Sequence, residues 1–163
     1  METKQERLKS ELRKLGLVAK ETDEKDWLSF TYSDLTFRCN VNEDYMAIGV
    51  CFYQEHDVVD RDKILEVINR VNDRINFAKV IEIGDVFWLT YEVDVETRMP
   101  GSDEIKKMIM LLTGDYYHLV SVYEKVVGLT VPGGEEDIET ESSFDWDGFV
   151  NKEDEGKRDD YNR

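Results

Sequence analysis

The hydrophobic residues of this chain change rhythm in a fixed order, and that order constrains the fold more than any composition figure. Apolar positions recur at helical spacing over residues 2–15, then alternate over 26–32, 35–41 and 45–53. Helical spacing returns over 61–77, alternation over 78–83 and 86–95, and helical spacing again from 102 to 128. Helix, three strands, helix, two strands and helix predict an α+β domain. Its expected core is a mostly antiparallel five-stranded sheet with helices packed largely on one face.

The individual elements carry their own signals. Leu8, Leu12 and Leu15 form a narrow stripe that Gly16 terminates. So short a helix is marginal alone in water, and its leucines must dock. Leu28, Phe30 and Tyr32 alternate with Trp27, Ser29 and Thr31, and after a tight turn at Ser33-Asp34 the pattern resumes with Leu35, Phe37, Cys39 and Val41. This is a sheet with one wet face. Segment 45–53 sets Met46, Ile48, Val50 and Phe52 against Tyr45, Ala47, Gly49, Cys51 and Tyr53, as a strand that is central or partly covered on its second face would. Asp60 is placed to cap the second helix, whose inner stripe reads Ile64, Ile68, Val71 and Ile75. A hairpin about Gly84-Asp85 follows. Ser102 is placed to cap the last helix, with Asp103 and Glu104 in its first turn. Gly114 costs that helix about 1 kcal/mol against Ala, which predicts a kink or break there.

Residues 129–163 differ in kind. They hold 12 acidic and 4 basic side chains, so this segment carries half of the formal charge of −16. With Pro132-Gly133-Gly134 at its start and no sustained period, it reads as a mostly disordered acidic tail beyond a 1–128 domain. One island interrupts it: Phe144, Trp146, Phe149 and Val150. Such a cluster is either a docking motif or a patch that folds back on its own body.

The charge disfavours nucleic acid and anionic membrane surfaces as partners. No run approaches the roughly 20 apolar residues of a membrane span, and METKQERLKSELRKLG has no apolar core of a secretion signal. Cys39 and Cys51 read as free thiols in a reducing compartment, and the chain as cytoplasmic.

Catalytic chemistry is not visible. His56 sits between Glu55 and Asp57, where a proton shuttle is conceivable, yet no nucleophile lies near it in sequence. His118 is off the inner stripe of its helix and reads as exposed or at a subunit contact. No Cys-x-x-Cys, His-x-x-x-His, P-loop or nucleophile-elbow pattern occurs. Asp145-Trp146-Asp147-Gly148 carries part of a calcium loop, but Phe149 stands where a third oxygen ligand is needed. No metal, cofactor or catalytic residue is therefore expected, and no enzyme.

The order of elements resembles the fold shared by type III secretion chaperones and YbjN-like domains. The residues carrying the resemblance are Ile68-Asn69-Arg70-Val71-Asn72 in the second helix and the hairpin from Lys79 to Val95 that leads to a long helix. It implies a small acidic protein, often dimeric, that holds an extended segment of a polypeptide partner. Excess aliphatic residues on the last helix fit a homodimer interface or a peptide groove. The expected role is a non-catalytic chaperone-like or adaptor module. A strand edge would supply backbone hydrogen bonds, with contacts from Trp27, Trp88 and the second face of 45–53, including Tyr45 and Tyr53. Trp146 and Phe149 of the tail are further candidates. The rival expectation is an acidic regulator or inhibitor whose tail covers a basic partner site.

Overall fold

The computed structural model describes residues 1–53, 60–84 and 86–128. Three helices accompany six strands: α1 Lys4–Lys14, β1 Lys20–Glu21, β2 Trp27–Tyr32, β3 Leu35–Val41, β4 Tyr45–Tyr53, α2 Arg61–Arg74, β5 Lys79–Ile83, β6 Val86–Asp94 and α3 Ser102–Val127. The strands form one antiparallel sheet in the order β1-β2-β3-β4-β6-β5. The expected five strands become six because Lys20 and Glu21 pair with Ser29 and Leu28. Two residues are too few to register as a period in sequence.

The chain divides into two compact units, Met1–Cys51 with Thr90–Thr113, and Phe52–Leu89 with Gly114 onward. In the first unit, α1 is set by a capping box. The Glu6 N–H donates to Thr3 Oγ1 at 3.1 Å, and the Thr3 N–H donates to Glu6 Oε2 at 2.8 Å. Gly16, at φ +78°, closes the helix while the Leu17 N–H reaches the Leu12 carbonyl at 3.0 Å. Leu8 and Leu12 are buried, as their stripe requires.

The β2–β3 hairpin pairs Tyr32 with Leu35 across Ser33 and Asp34, both at positive φ. Such a turn matches the twist of the flanking strands. Phe30 and Phe37 face each other in the ladder and stack at 5.2 Å. Met46 to Val50 are buried on both faces of β4, the central strand foreseen from its composition. The Val95 N–H donates to the Asp44 carbonyl at 2.8 Å, which lays the end of β6 beside the start of β4.

Helix α3 begins differently from expectation. The Ile105 N–H donates to the Gly101 carbonyl at 3.0 Å, so Gly101 occupies the cap position and Ser102 is the first helical residue. The carboxylate of Glu11 in α1, itself buried, lies near the Ser102 N–H, which helps to lower its pKa.

In the second unit, α2 starts at Asp60, whose carboxylate accepts from the Asp62 N–H at 3.0 Å. It buries Ile64, Val67 and Val71. Val67 takes the place expected of Ile68, and the helix ends at Arg74 because Ile75 turns to extended backbone. Phe52, Phe87 and Tyr123 form an aromatic cluster, with centroids 4.9 to 6.0 Å apart. The expected break at Gly114 does not occur. Residues 112–115 are all buried, so packing outweighs the weak helix propensity of glycine.

Candidate functional site

Strand β5 ends the sheet, beyond β6. Its backbone is treated in an unusual way. Asn72 of α2 accepts the Val80 N–H at 2.7 Å and donates to the Val80 carbonyl at 2.9 Å. Both groups of one strand residue point to the same side, so the Asn72 amide occupies an outward-facing backbone pair that a further strand would otherwise use. Of the five residues in β5, alternation leaves only Glu82 with a comparable outward pair.

The side chains of β5 invert the pattern suggested by their chemistry. Val80 is buried, and Glu82 lies on the same side, in an ion pair with Arg61. Lys79, Ile81 and Ile83 share the other side. Ile83 is 62% exposed and Ile81 44%. Phe77, just before the strand, is 56% exposed, and Leu65 on α2 is also exposed. Asp73 and Glu82 also lie in or next to this stretch; its exposed cations are Arg74 and Lys79. Neither forms an ion pair with a described residue.

The residues named from sequence fall elsewhere. In the first unit, Trp27 lies opposite Asn40, and Asn40 opposite Ala47, so Trp27, Ala47 and Tyr45 share one sheet face. Trp27 is half-buried beneath the Arg38 guanidinium, 5.1 Å from its ring centroid, and Arg38 also pairs with Glu24 at 3.2 Å. Tyr45 is exposed there. In the second unit, Tyr53 is exposed and Trp88 is only 8% exposed. Trp88 is a correction: Phe87 to Thr90 are all buried, so both faces of β6 are covered and little of this ring can meet a partner. Trp146, Phe149 and the whole 129–163 tail lie outside the described residues, as does His56. His118 is half-buried.

The sequence reading missed the exposed run at Phe77, Ile81 and Ile83. Val80 and Glu82 turn inward together, and Glu82 is accommodated there by its pairing with Arg61. A usable signal was Lys79, which shares parity with both isoleucines.

Both cysteines are free. Burial pushes the Cys39 thiol up to about 12 and the Cys51 thiol up to about 11, the nearby Glu24 adding to the latter and Arg38 opposing it. Neither is a ready nucleophile at neutral pH. Among the described residues, no group of three or more His, Cys, Asp or Glu side chains is placed to hold a metal ion. Among them also, no helix is long and apolar enough to cross a membrane.

The chain matches no protein-family model and no curated protein. It is similar in structure to an uncharacterized protein from Methanothermobacter thermautotrophicus known from a crystal structure. The two superpose with a TM-score of 0.58 at 14% identity, over 76% of this chain and 99% of the other. That likeness defines an α+β fold and goes no further.

Proposed function

We propose that this protein is a non-catalytic, chaperone-like or adaptor module that holds a segment of a partner polypeptide on the surface formed by Phe77, Ile81 and Ile83. The observation that carries the reading is the exposure of these three large apolar side chains within seven residues of one edge strand. Monomeric proteins rarely leave such side chains clustered in water without use. Arg74 and Lys79 beside them would favour a segment mixing apolar and acidic residues. The clamp on Val80 shifts recognition from backbone pairing, the mode first expected, to side-chain contacts. Holding a partner segment, and a homodimeric state, are also what the resemblance to YbjN-like domains and secretion chaperones implies; action in the cytoplasm is a separate part of the proposal.

The test uses a permanently unfolded, reduced and alkylated model protein carrying a fluorophore, titrated with the full chain. Binding should weaken about tenfold or more in an Ile81→Lys/Ile83→Lys variant that melts like the wild type. Equal affinity of the two would remove this surface from consideration. The rival reading, an acidic regulator, rests on the charge of residues 129–163. It requires binding to a basic partner that collapses between low and high salt and is indifferent to Ile81 and Ile83.

A further inference from the structure

We infer that the segment held on β5 is a short amphipathic helix of the partner, whose stripe sets two apolar residues and one acidic residue, at one-turn spacing, over Ile83, Ile81 and Lys79. The inference rests on the partner-binding reading and adds the partner's conformation and chemistry.

The backbone of β5 argues for a helix. Asn72 accepts from the Val80 N–H at 2.7 Å and donates to the Val80 carbonyl at 2.9 Å, so the outward pair at the second residue of the strand is already taken. An extended segment laid along this edge gains no continuous ladder, and its own N–H and carbonyl groups go unpaired wherever the contact excludes water. A helix arrives with its backbone bonds closed within itself. It needs only side-chain contacts from the surface, and these are what β5 offers.

Spacing agrees. Lys79, Ile81 and Ile83 alternate with Val80 and Glu82, so the three share one side of the strand. Successive members of the row stand about 6.8 Å apart. Residues i and i+4 of a helix are displaced by about 6 Å along its axis. Two such steps follow the row to within about 2 Å, a mismatch that flexible side chains absorb.

Charge sets the third position. Ile81 and Ile83 are exposed, and Lys79, exposed too, ends their row. Lys79 forms no ion pair with a described residue, and Glu82, the acid of the strand, is turned to Arg61 on the other side. In a chain of formal charge −16, a lysine without a carboxylate partner selects an acidic residue on the incoming helix and rejects a basic one. Arg74, exposed at the end of α2, adds to the same preference, and Asp73 beside it opposes.

Fluorescein-labelled model peptides test the inference by anisotropy against the full chain. Each carries two leucines and one glutamate at i, i+4 and i+8 in a background of alanine and glutamine. Either chain direction fits the row, so both orders are made. At least one should bind, gaining helical circular dichroism as it does. A proline within its stripe should weaken binding about tenfold or more, and so should lysine in place of the glutamate. Lys79→Glu should reverse the second preference, taking the lysine peptide about tenfold more tightly than the glutamate one, a reversal that damage to the fold cannot produce. Binding by neither order, equal binding of the proline peptide, or no reversal in Lys79→Glu overturns the inference. If the unfolded model protein nevertheless binds and needs Ile81 and Ile83, the partner-binding reading stands without the helix. If the patterned peptide binds and the unfolded protein does not, the helix stands and the unfolded client falls.

Discussion

Asn72 holds Val80 by both backbone groups, at 2.7 and 2.9 Å, so that a helix side chain occupies the place of a neighbouring strand at the sheet edge. Edge strands are templates for unwanted pairing, and proteins blunt them with charges, bulges or covers. Here the cover is a single carboxamide, whose donor and acceptor match the two groups of one residue.

Replacing Asn72 by Ala should therefore do two things. It leaves the Val80 N–H and carbonyl without their partners, at a cost of about 1–3 kcal/mol in urea unfolding. It also reopens the edge, so light scattering should detect self-association that grows with concentration. Asn72→Asp, which keeps the acceptor and loses the donor, should fall between. An Ala variant that is destabilised yet no more associated than the wild type would separate the two roles and deny the edge-blocking one.

The β2–β3 turn holds Ser33 and Asp34 at φ +51° and +63°, a region that glycine enters with less strain. Asp34→Gly should raise stability by about 0.5–1 kcal/mol, since glycine is the favoured second residue of such a turn. A fall in the denaturation midpoint would mean that the Asp34 side chain contributes more than its backbone strain costs.

Glu11 links two helices of the first unit. Its hydrogen bond to Lys14, at 2.8 Å, is the main reason its carboxyl lies below the usual range, and the Ser102 N–H contributes in the same direction. A carboxylate with a depressed pKa in the folded chain stabilises at pH values above its unfolded value, near 4.5, and that contribution is lost as pH falls through the folded value. Glu11→Gln should reduce stability by about 0.2–1 kcal/mol at pH 7, the scale of a partly exposed ion pair such as that with Lys14. The gap between variant and wild type should close on acidification below pH about 4, measured by urea midpoints across the range.

Much of this architecture was legible in the sequence because period-two and helical rhythms are strong wherever one face is buried. Leu28, Phe30, Phe37 and Cys39 face the core as their alternation demands, and β4 is buried on both sides as its composition demands. The failures share one cause, which is that polar side chains were judged by type and not by partner. Ser102 looked like a cap, yet Gly101 takes that place and Ser102 is the first helical residue. Glu82 pairs with Arg61 and Asn72 with the backbone of Val80, partners that sequence position alone does not announce. Contacts of that kind have no local signature. Trp88 shows the converse: a large aromatic at a nominally outward position reads as a binding residue, while here it is buried.

Asp115 offers the sharpest test of how α3 is packed. It is 2% exposed, and its Oδ2 has no hydrogen-bond partner among the described residues. Burial raises its pKa well above the ordinary 3.8. A carboxyl group whose folded pKa exceeds its unfolded one favours the native state fully below the unfolded value, and that advantage is lost as pH rises toward the folded value. At neutral pH the native chain must either retain a proton that the unfolded chain releases or bury a charge. Asp115→Asn removes the titration and keeps the shape. It should stabilise the protein by about 1–3 kcal/mol at pH 7.5, the scale of a buried polar group without compensation. The advantage should shrink as pH falls toward 4. Comparing variant with wild type at each pH cancels the repulsion among the other acidic residues, which both share. An Asn variant less stable than the wild type at pH 7.5 would mean that the Asp115 carboxylate is ionised in the native state and held there by a partner of opposite charge.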